Sequence, residues 1–399
     1  MNDRKEESVL YGILRRGYQT VFFENWPIML GGILIGILSI ITFAWARPWG
    51  VAGGLRNWGD WFFNIIGVYD KGVLSPLIST NSILTLGLLW GAFGSALMSR
   101  QFSIRNAPPL ELIKGIVGGL LMGVGAAMAG GCNVGGFYTA VSALSLGGLA
   151  MMVGLLIGAY IGLRYLYWEL EHFPSGFAGG DTQKAKDKGF DWLSVEPYIG
   201  AVVFLGAIIA AWAYTSQAYT RVGGLLLCGV GFGVIIQRTR FCFVRAFRDP
   251  FMTGEGDMAK AVSVSIIIGV LGFAALKWTG ARAEAVYVTQ TFWLGSLVGG
   301  FVFGFGMLLS GGCGSGSVWR AGEGQIKLIL TVICFSLSTS LFKTLINASP
   351  GLKSLIGHRV FLPDYITYKW SLLLILFIFG AYYLAAVWNE ETDKFVVEM

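Results

Sequence analysis

The sequence is short of charge. Lys, Arg, Asp and Glu make up only 13% of its 399 residues, against roughly 25% in an ordinary chain, so little of its surface is suited to water. It has two histidines, far apart, and five cysteines with no Cys-x-x-Cys pair. That excludes a disulfide framework and a zinc site by spacing, and no metal or cofactor is expected. No Walker A sequence is present, so ATP hydrolysis by that route is excluded. The long apolar stretches carry no Asp or Glu in their middles. Intramembrane carboxylates mark cation sites and proton relays, and their lack argues against a cation transporter. The net charge of +6 is no sign of nucleic-acid binding, because the basic residues stand between apolar runs, where positive charge orients a membrane protein.

What the chain has in abundance is apolar length and glycine. It is 55% hydrophobic and holds 58 glycines, about twice the usual share of roughly 7%. Apolar runs of about 17 to 22 residues recur along it, and about 20 suffice for a helix to cross a hydrocarbon core. The expectation is an all-α polytopic membrane protein with about ten spans, near residues 26–46, 81–99, 115–131, 147–168, 196–214, 223–237, 261–277, 294–310, 327–345 and 370–388. The first run is too long for a signal-peptide core, so no cleavage is expected. Trp49, Trp58, Trp61, Phe62 and Phe63 form an aromatic group of the kind found at a membrane interface.

Two stretches organise the rest. Residues 118–135 read GGLLMGVGAAMAGGCNVG, and residues 299–316 read GGFVFGFGMLLSGGCGSG. Their shared residues, all Gly or Cys, stand at one constant offset of 181, which makes the chain two related halves. The offset lays the first four spans on spans six to nine, with spans five and ten outside the repeat. One span between two four-span units makes the halves face opposite ways, an inverted repeat typical of transporters. The expected divisions are a cytoplasmic segment 1–25, a first membrane repeat 26–168 and a polar cytoplasmic linker 169–195. A connecting span 196–214, a second repeat 215–345, a last loop and terminal span 346–388 and a cytoplasmic tail 389–399 follow. Most of the 29 Lys and Arg then fall on the inner side, which favours cytoplasmic termini.

Each glycine-rich apolar run ends on a Gly-Gly-Cys turn: Gly130, Gly131 and Cys132 followed by Asn133, and Gly311, Gly312 and Cys313 followed by Gly314 and Ser315. Irregular backbone at membrane depth is tolerated only inside protein or along a water-filled path, so short half-helices meeting near the midplane are expected there. Glycine lets backbone N–H groups approach a ligand, successive N–H groups make an anion nest, and a following helix N-terminus adds partial positive charge. Asn133, Ser315 and Ser317 add donors, and the cysteines add a soft sulfur and a weak S–H donor. The implied ligand is a small anion, and sulfur or selenium in it would match the thiols. The plainer alternative is close packing, since Gly119 with Gly123 and Gly300 with Gly304 are ordinary GxxxG pairs.

Cys242 lies among Arg238, Arg240, Arg245 and Arg248. A thiol beside cations can be reactive, and Arg240 and Cys242 are candidates for the anion's exit; the arginines alone also fit simple positive-inside anchors. Glu323 and Arg320 follow the second turn and are candidates for a pair at the cytoplasmic mouth; the plainer and preferred alternative is that they are ordinary surface residues. Cys228 and Cys334 sit mid-span and are read as packing residues.

The two Gly-Gly-Cys turns and the stretch FCFVRAFRDPFMTGEGDMAKA resemble the YeeE/YedE family of bacterial inner-membrane proteins, most closely its YedE branch. The resemblance spans the chain from its first to its last hydrophobic segment. It implies uptake of inorganic sulfur compounds, thiosulfate above all, with some YedE-like members linked to selenium metabolism. It implies an hourglass path lined by short helices, with Cys132, Cys313 and Cys242 contacting the ligand in succession. It also implies a TusA-like cytosolic sulfur carrier as partner. Thiosulfate transporters of the family carry a further cysteine in the first half; by the 181 offset that place falls near Trp61, where this sequence has none. The expected function is an inner-membrane permease for thiosulfate or a related anion. The rivals are a selenium transporter and a sulfurtransfer partner that carries a persulfide on Cys242 or Cys313.

Overall fold

The computed structural model describes residues 16–69, 72–172 and 192–397, and among these it is helical throughout, without strands. Among the described residues, ten helical stretches are long and apolar enough to cross a membrane. Most of the polar linker expected at 169–195, and the first fifteen residues, lie outside the described residues.

The first half comprises α1 (Ile28–Trp45), the shorter α2 (Ala52–Ile65), α3 (Thr80–Met98) and α4 (Pro109–Ala129). A π-helical turn, Asn133–Thr139, then runs into Ala140–Ser142 to make the short α5, followed by α6 (Leu146–His172) and α7 (Trp192–Ser216). The second half comprises α8 (Thr220–Thr239), the short α9 (Phe243–Met252), α10 (Asp257–Trp278) and α11 (Leu294–Ser310). The short α12 (Gly314–Gly322), α13 (Ile326–Ala348), α14 (Pro350–Ile356) and α15 (Pro363–Thr392) complete it.

Sequence accounts for where several of these begin and stop. Pro109, Pro350 and Pro363 stand in the first turns of α4, α14 and α15, where a missing N–H costs nothing and φ is already helical. That is why α4 starts six residues before the apolar run at 115. Gly130 and Gly311, at φ 74° and 77°, cap α4 and α11 in the left-handed region, the usual glycine stop.

The pairings recur with the halves exchanged. α4 packs on α13 as α11 packs on α6, α1 on α10 as α8 on α3, and α2 on α13 as α9 on α6. α7 and α15, outside the region of constant offset, take matching places against α3 and α10. The central crossing is α4 on α11. A Cβ at Gly118 would stand 2.6 Å from the Gly306 carbonyl oxygen, and one at Gly306 would stand 2.8 Å from that of Gly118. Small residues permit this approach where hydrophobic force cannot drive helices together. At the rim the trend reverses: only 17% of the α7 span is buried, against 67% of α3, as befits a lipid-facing helix.

Two faces close the bundle. On the first face, Leu146 N–H bonds Val360 O, Phe292 and His358 exchange backbone bonds, and Ser145 meets Thr289. On the second, Arg105 N–H bonds Gly324 O, Trp26 N–H bonds Arg238 O, and Val397 N–H bonds Phe251 O. Residues 16–27 and the segment after α15 therefore share the second face. The short α2 descends from the first face and the short α9 from the second.

Candidate functional site

The two glycine turns abut at the centre. Cys132 and Cys313 each precede a short helix in nearly identical extended conformations, φ −76° and ψ −176° against φ −78° and ψ −177°. Gly136 N–H donates to Cys132 O and Ser317 N–H to Cys313 O, the same bond in each half. The turns then touch. Gly314 N–H donates to Asn133 Oδ1 at 3.2 Å, and a Cβ on Gly314 would stand 3.2 Å from Cys132 Sγ. Position 314 is glycine where its counterpart 133 is asparagine, so one side chain bridges both turns and nothing on the other side obstructs it.

All three candidate thiols gather here. A Cβ on Gly316 would lie 3.0 Å from Cys313 Sγ and 3.3 Å from Cys242 Sγ, so two thiols flank one glycine. Gly316 N–H donates to Cys313 Sγ at 3.2 Å, and Ser315 Oγ stands 3.6 Å from it. Cys132, Cys313 and Cys242 are at most 1% exposed. Cys242, expected at the exit, is therefore part of the central cluster, because it ends the chain's re-entry just before α9. Cys228 and Cys334 stand apart on α8 and α13, half-buried.

The donors around the turns are not all used. Asn133 Nδ2, Ser317 Oγ, Trp49 Nε1 and Trp319 Nε1 are buried without a hydrogen-bond partner. Buried polar groups are normally paired, and these four can only donate or, for Ser317, donate and accept. An aromatic wall backs them: Trp49 stacks on Phe232 at 4.3 Å and meets Tyr138 edge-on at 5.7 Å, and Tyr138 meets Phe243 at 6.1 Å.

The two sides of this centre differ. Towards the first face a cavity of about 390 Å³ has Gly130, Gly131 and Gly135 in its lining, along with Arg47, Asn81 and Lys343. Nothing stands within 4 Å of where a Gly135 Cβ would be except open space. Towards the second face a polar network closes the way. Arg240 Nη1 donates to Glu323 Oε1 at 2.6 Å and Arg240 Nη2 to Gln101 Oε1 at 2.6 Å. Gln237 Nε2 donates to both acceptors, at 3.0 Å and 2.9 Å. Arg240 and Arg320 also lie over the Trp319 ring, at 5.3 Å and 5.1 Å from its centroid.

Two expectations change here. Glu323 is not a surface residue; it is fully buried and pairs with Arg240, while Arg320 donates to Gly311 O at 2.7 Å. The short α12 carries Glu323 back into the protein, which local spacing does not reveal. The counterpart of Cys242 is also not near Trp61. Cys242 immediately precedes α9 and Val51 immediately precedes α2, so Val51 holds the place where a first-half cysteine would stand. Loops of unequal length make the offset drift away from its value at the turns. Of the other arginines, Arg238 donates to Glu24 O, and Arg245 and Arg248 both pair with Asp249.

The sequence is similar to known proteins. Residues 7–161 and 238–398 match the family described as Sulphur transport. The chain is 30% identical over 313 residues, 75% of its length and 77% of the relative's, to the probable transporter YedE of Escherichia coli strain K12. It is 29% identical over 320 residues, 77% of its length and 78% of the relative's, to the probable transporter YedE of Salmonella typhimurium. A shorter likeness, 33% identical over 134 residues, 33% of this chain and 37% of the other, is to the thiosulfate transporter TsuA of E. coli.

Proposed function

The chain belongs to the sulphur transport family, and from that premise we propose that this multi-pass membrane transporter is a permease for thiosulfate or a related small sulfur-containing anion. The observation that carries the reading is the set of buried donors left without acceptors, Asn133 Nδ2, Ser317 Oγ, Trp49 Nε1 and Trp319 Nε1, around two abutting turns that also hold three thiols. An unmet buried donor costs about 1–3 kcal/mol, and an anion with several acceptor oxygens would offset that cost at each donor it meets along the path. A sulfur atom in the same anion suits the polarizable thiols.

In this reading the two halves are an inverted repeat, supported by pairings that recur on exchange and by short helices descending from opposite faces. The second face, with the chain's ends and the Arg240–Glu323 pair, is cytoplasmic, and the first face opens outward across a bacterial inner membrane. The anion would pass from the cavity to Cys132, across the Asn133–Gly314 junction to Cys313 and Cys242, and out when Arg240 exchanges Glu323 for the passing charge. Burial of Cys242 and Cys313 disfavours a persulfide handed directly to a TusA-like carrier, since a docking protein cannot reach either sulfur.

Competition decides the substrate. Uptake of labelled thiosulfate into proteoliposomes should fall with excess unlabelled thiosulfate and be little affected by equal selenite. Stronger inhibition by selenite than by thiosulfate would transfer the assignment to a selenium compound.

A further inference from the structure

The cavity on the first face carries charge that the central thiols do not explain. Its lining holds two cations, Arg47 and Lys343, and among the described residues lining it there is no carboxylate. Arg47 uses Nη1 on Asn81 Oδ1 and Nε on Pro48 O at 3.4 Å, leaving the rest of its five donors unspent. Burial pulls its pKa below the usual arginine value. Lys343 stands near the first-face end of α13, where the charges of Arg56 and Lys353 oppose its own; Arg56 is itself paired with Asp60, which accepts from Ser340 one turn before Lys343. Among the described residues it makes no ion pair.

The opposite side shows what a settled arrangement looks like. There Lys327 is bonded to Glu111 and to Leu309 O, Lys114 pairs with Glu111 and Glu169, and Arg240 with Glu323. Lys327, Lys114 and Arg240 are thus paired with carboxylates, while among the described residues Arg47 and Lys343 make no such pair. Two partly desolvated cations facing one cavity repel each other and lack solvation. A divalent anion between them removes both costs. Gln290 also lines the cavity, while the Thr291 hydroxyl is donated to Ala129 O and that of Thr289 meets Ser145.

We propose that Arg47 and Lys343 form a separate oxyanion-binding site in this cavity, ahead of the cysteines, which recognises charge and size and takes sulfate as readily as thiosulfate. Selection for sulfur is then left to the thiols beyond it. The inference rests on the reading that the protein carries a small anion, but it concerns binding and is tested by binding.

The probe is inorganic sulfate, titrated calorimetrically at low salt into the full chain in lipid nanodiscs. Wild type should bind it, and Cys334→Ala, which changes a packing residue on α13, should bind it unchanged. The Arg47→Gln/Lys343→Met double variant should bind roughly tenfold or more weakly, on the scale of losing charge-assisted hydrogen bonds. Arg47→Lys/Lys343→Arg, which keeps both charges, should restore most of the affinity. The single variants give the same reading should the double variant melt early. Wild type that binds no sulfate, or charge-removed variants that bind it as tightly as wild type, would overturn the proposal. Sulfate binding of the expected pattern in a protein that moves no thiosulfate would leave this site standing and sink the permease reading alone.

Discussion

The Asn133 side-chain oxygen accepts the backbone N–H of Gly314, its counterpart 181 residues away, at 3.2 Å. One hydrogen bond thus joins the two halves at the point where both chains break their helices. Its partner Nδ2 on the same side chain is buried and unpaired. The carboxamide therefore holds the junction with one atom and offers a donor with the other.

Asn133→Ala removes both roles. The lost junction bond should cost about 1 kcal/mol and lower the melting temperature in detergent by a few degrees. Uptake should fall much further than that loss of stability explains. A variant that melts early yet transports at the wild-type rate would show that Nδ2 meets no ligand.

The glycines after the first cysteine give a paired test. A Cβ on Gly135 meets nothing within 4 Å, whereas one on Gly136 would stand 2.6 Å from Met151 Sδ and 2.8 Å from Gly131 O. Gly135→Ala should melt like wild type but narrow the passage and slow uptake. Gly136→Ala should destabilise the protein by about 1–3 kcal/mol through overpacking. Both are read from melting curves beside uptake rates. Equal melting of the two would contradict the packing around the turn.

Closure of the second face hangs on Glu323. Glu323→Gln keeps its size but removes the charge that Arg240 and Gln237 bond. Breaking a buried pair on one side costs about 3–5 kcal/mol where no new partner arrives. The neutral amide still accepts, and the exposed side of Arg240 reaches solvent, so the loss here should be smaller. The network should loosen and Cys242 should become reactive to a small thiol reagent applied from the second face. Unchanged protection of Cys242 would show that Arg240 and Glu323 are not the barrier.

How much of this was visible in the sequence depends on whether the signal was local. The helical spans follow from apolar length, and Pro109 and Gly130 mark their ends by their own backbone chemistry. The two turns are legible because both their residues and their spacing repeat. The short α2 and α9 were not legible as helices: AGGLRNWGDWFFNI is too short and mixed to register as a span, and α9 reads as a basic loop. Burial of Glu323, the place of Val51 opposite Cys242, and the cavity that Arg47 and Lys343 share all depend on segments far apart in the chain. No spacing encodes them, and only the packed structure brings them together.

The central claim is that an anion passes the Gly-Gly-Cys junction beside Cys132. Its most direct test is uptake of labelled thiosulfate into sealed proteoliposomes, wild type beside Cys132→Ala, with insertion and melting checked for both. The account predicts rapid uptake by wild type and near-complete loss in the variant at equal insertion. Equal uptake by both proteins would contradict it and leave Cys132 as a packing residue.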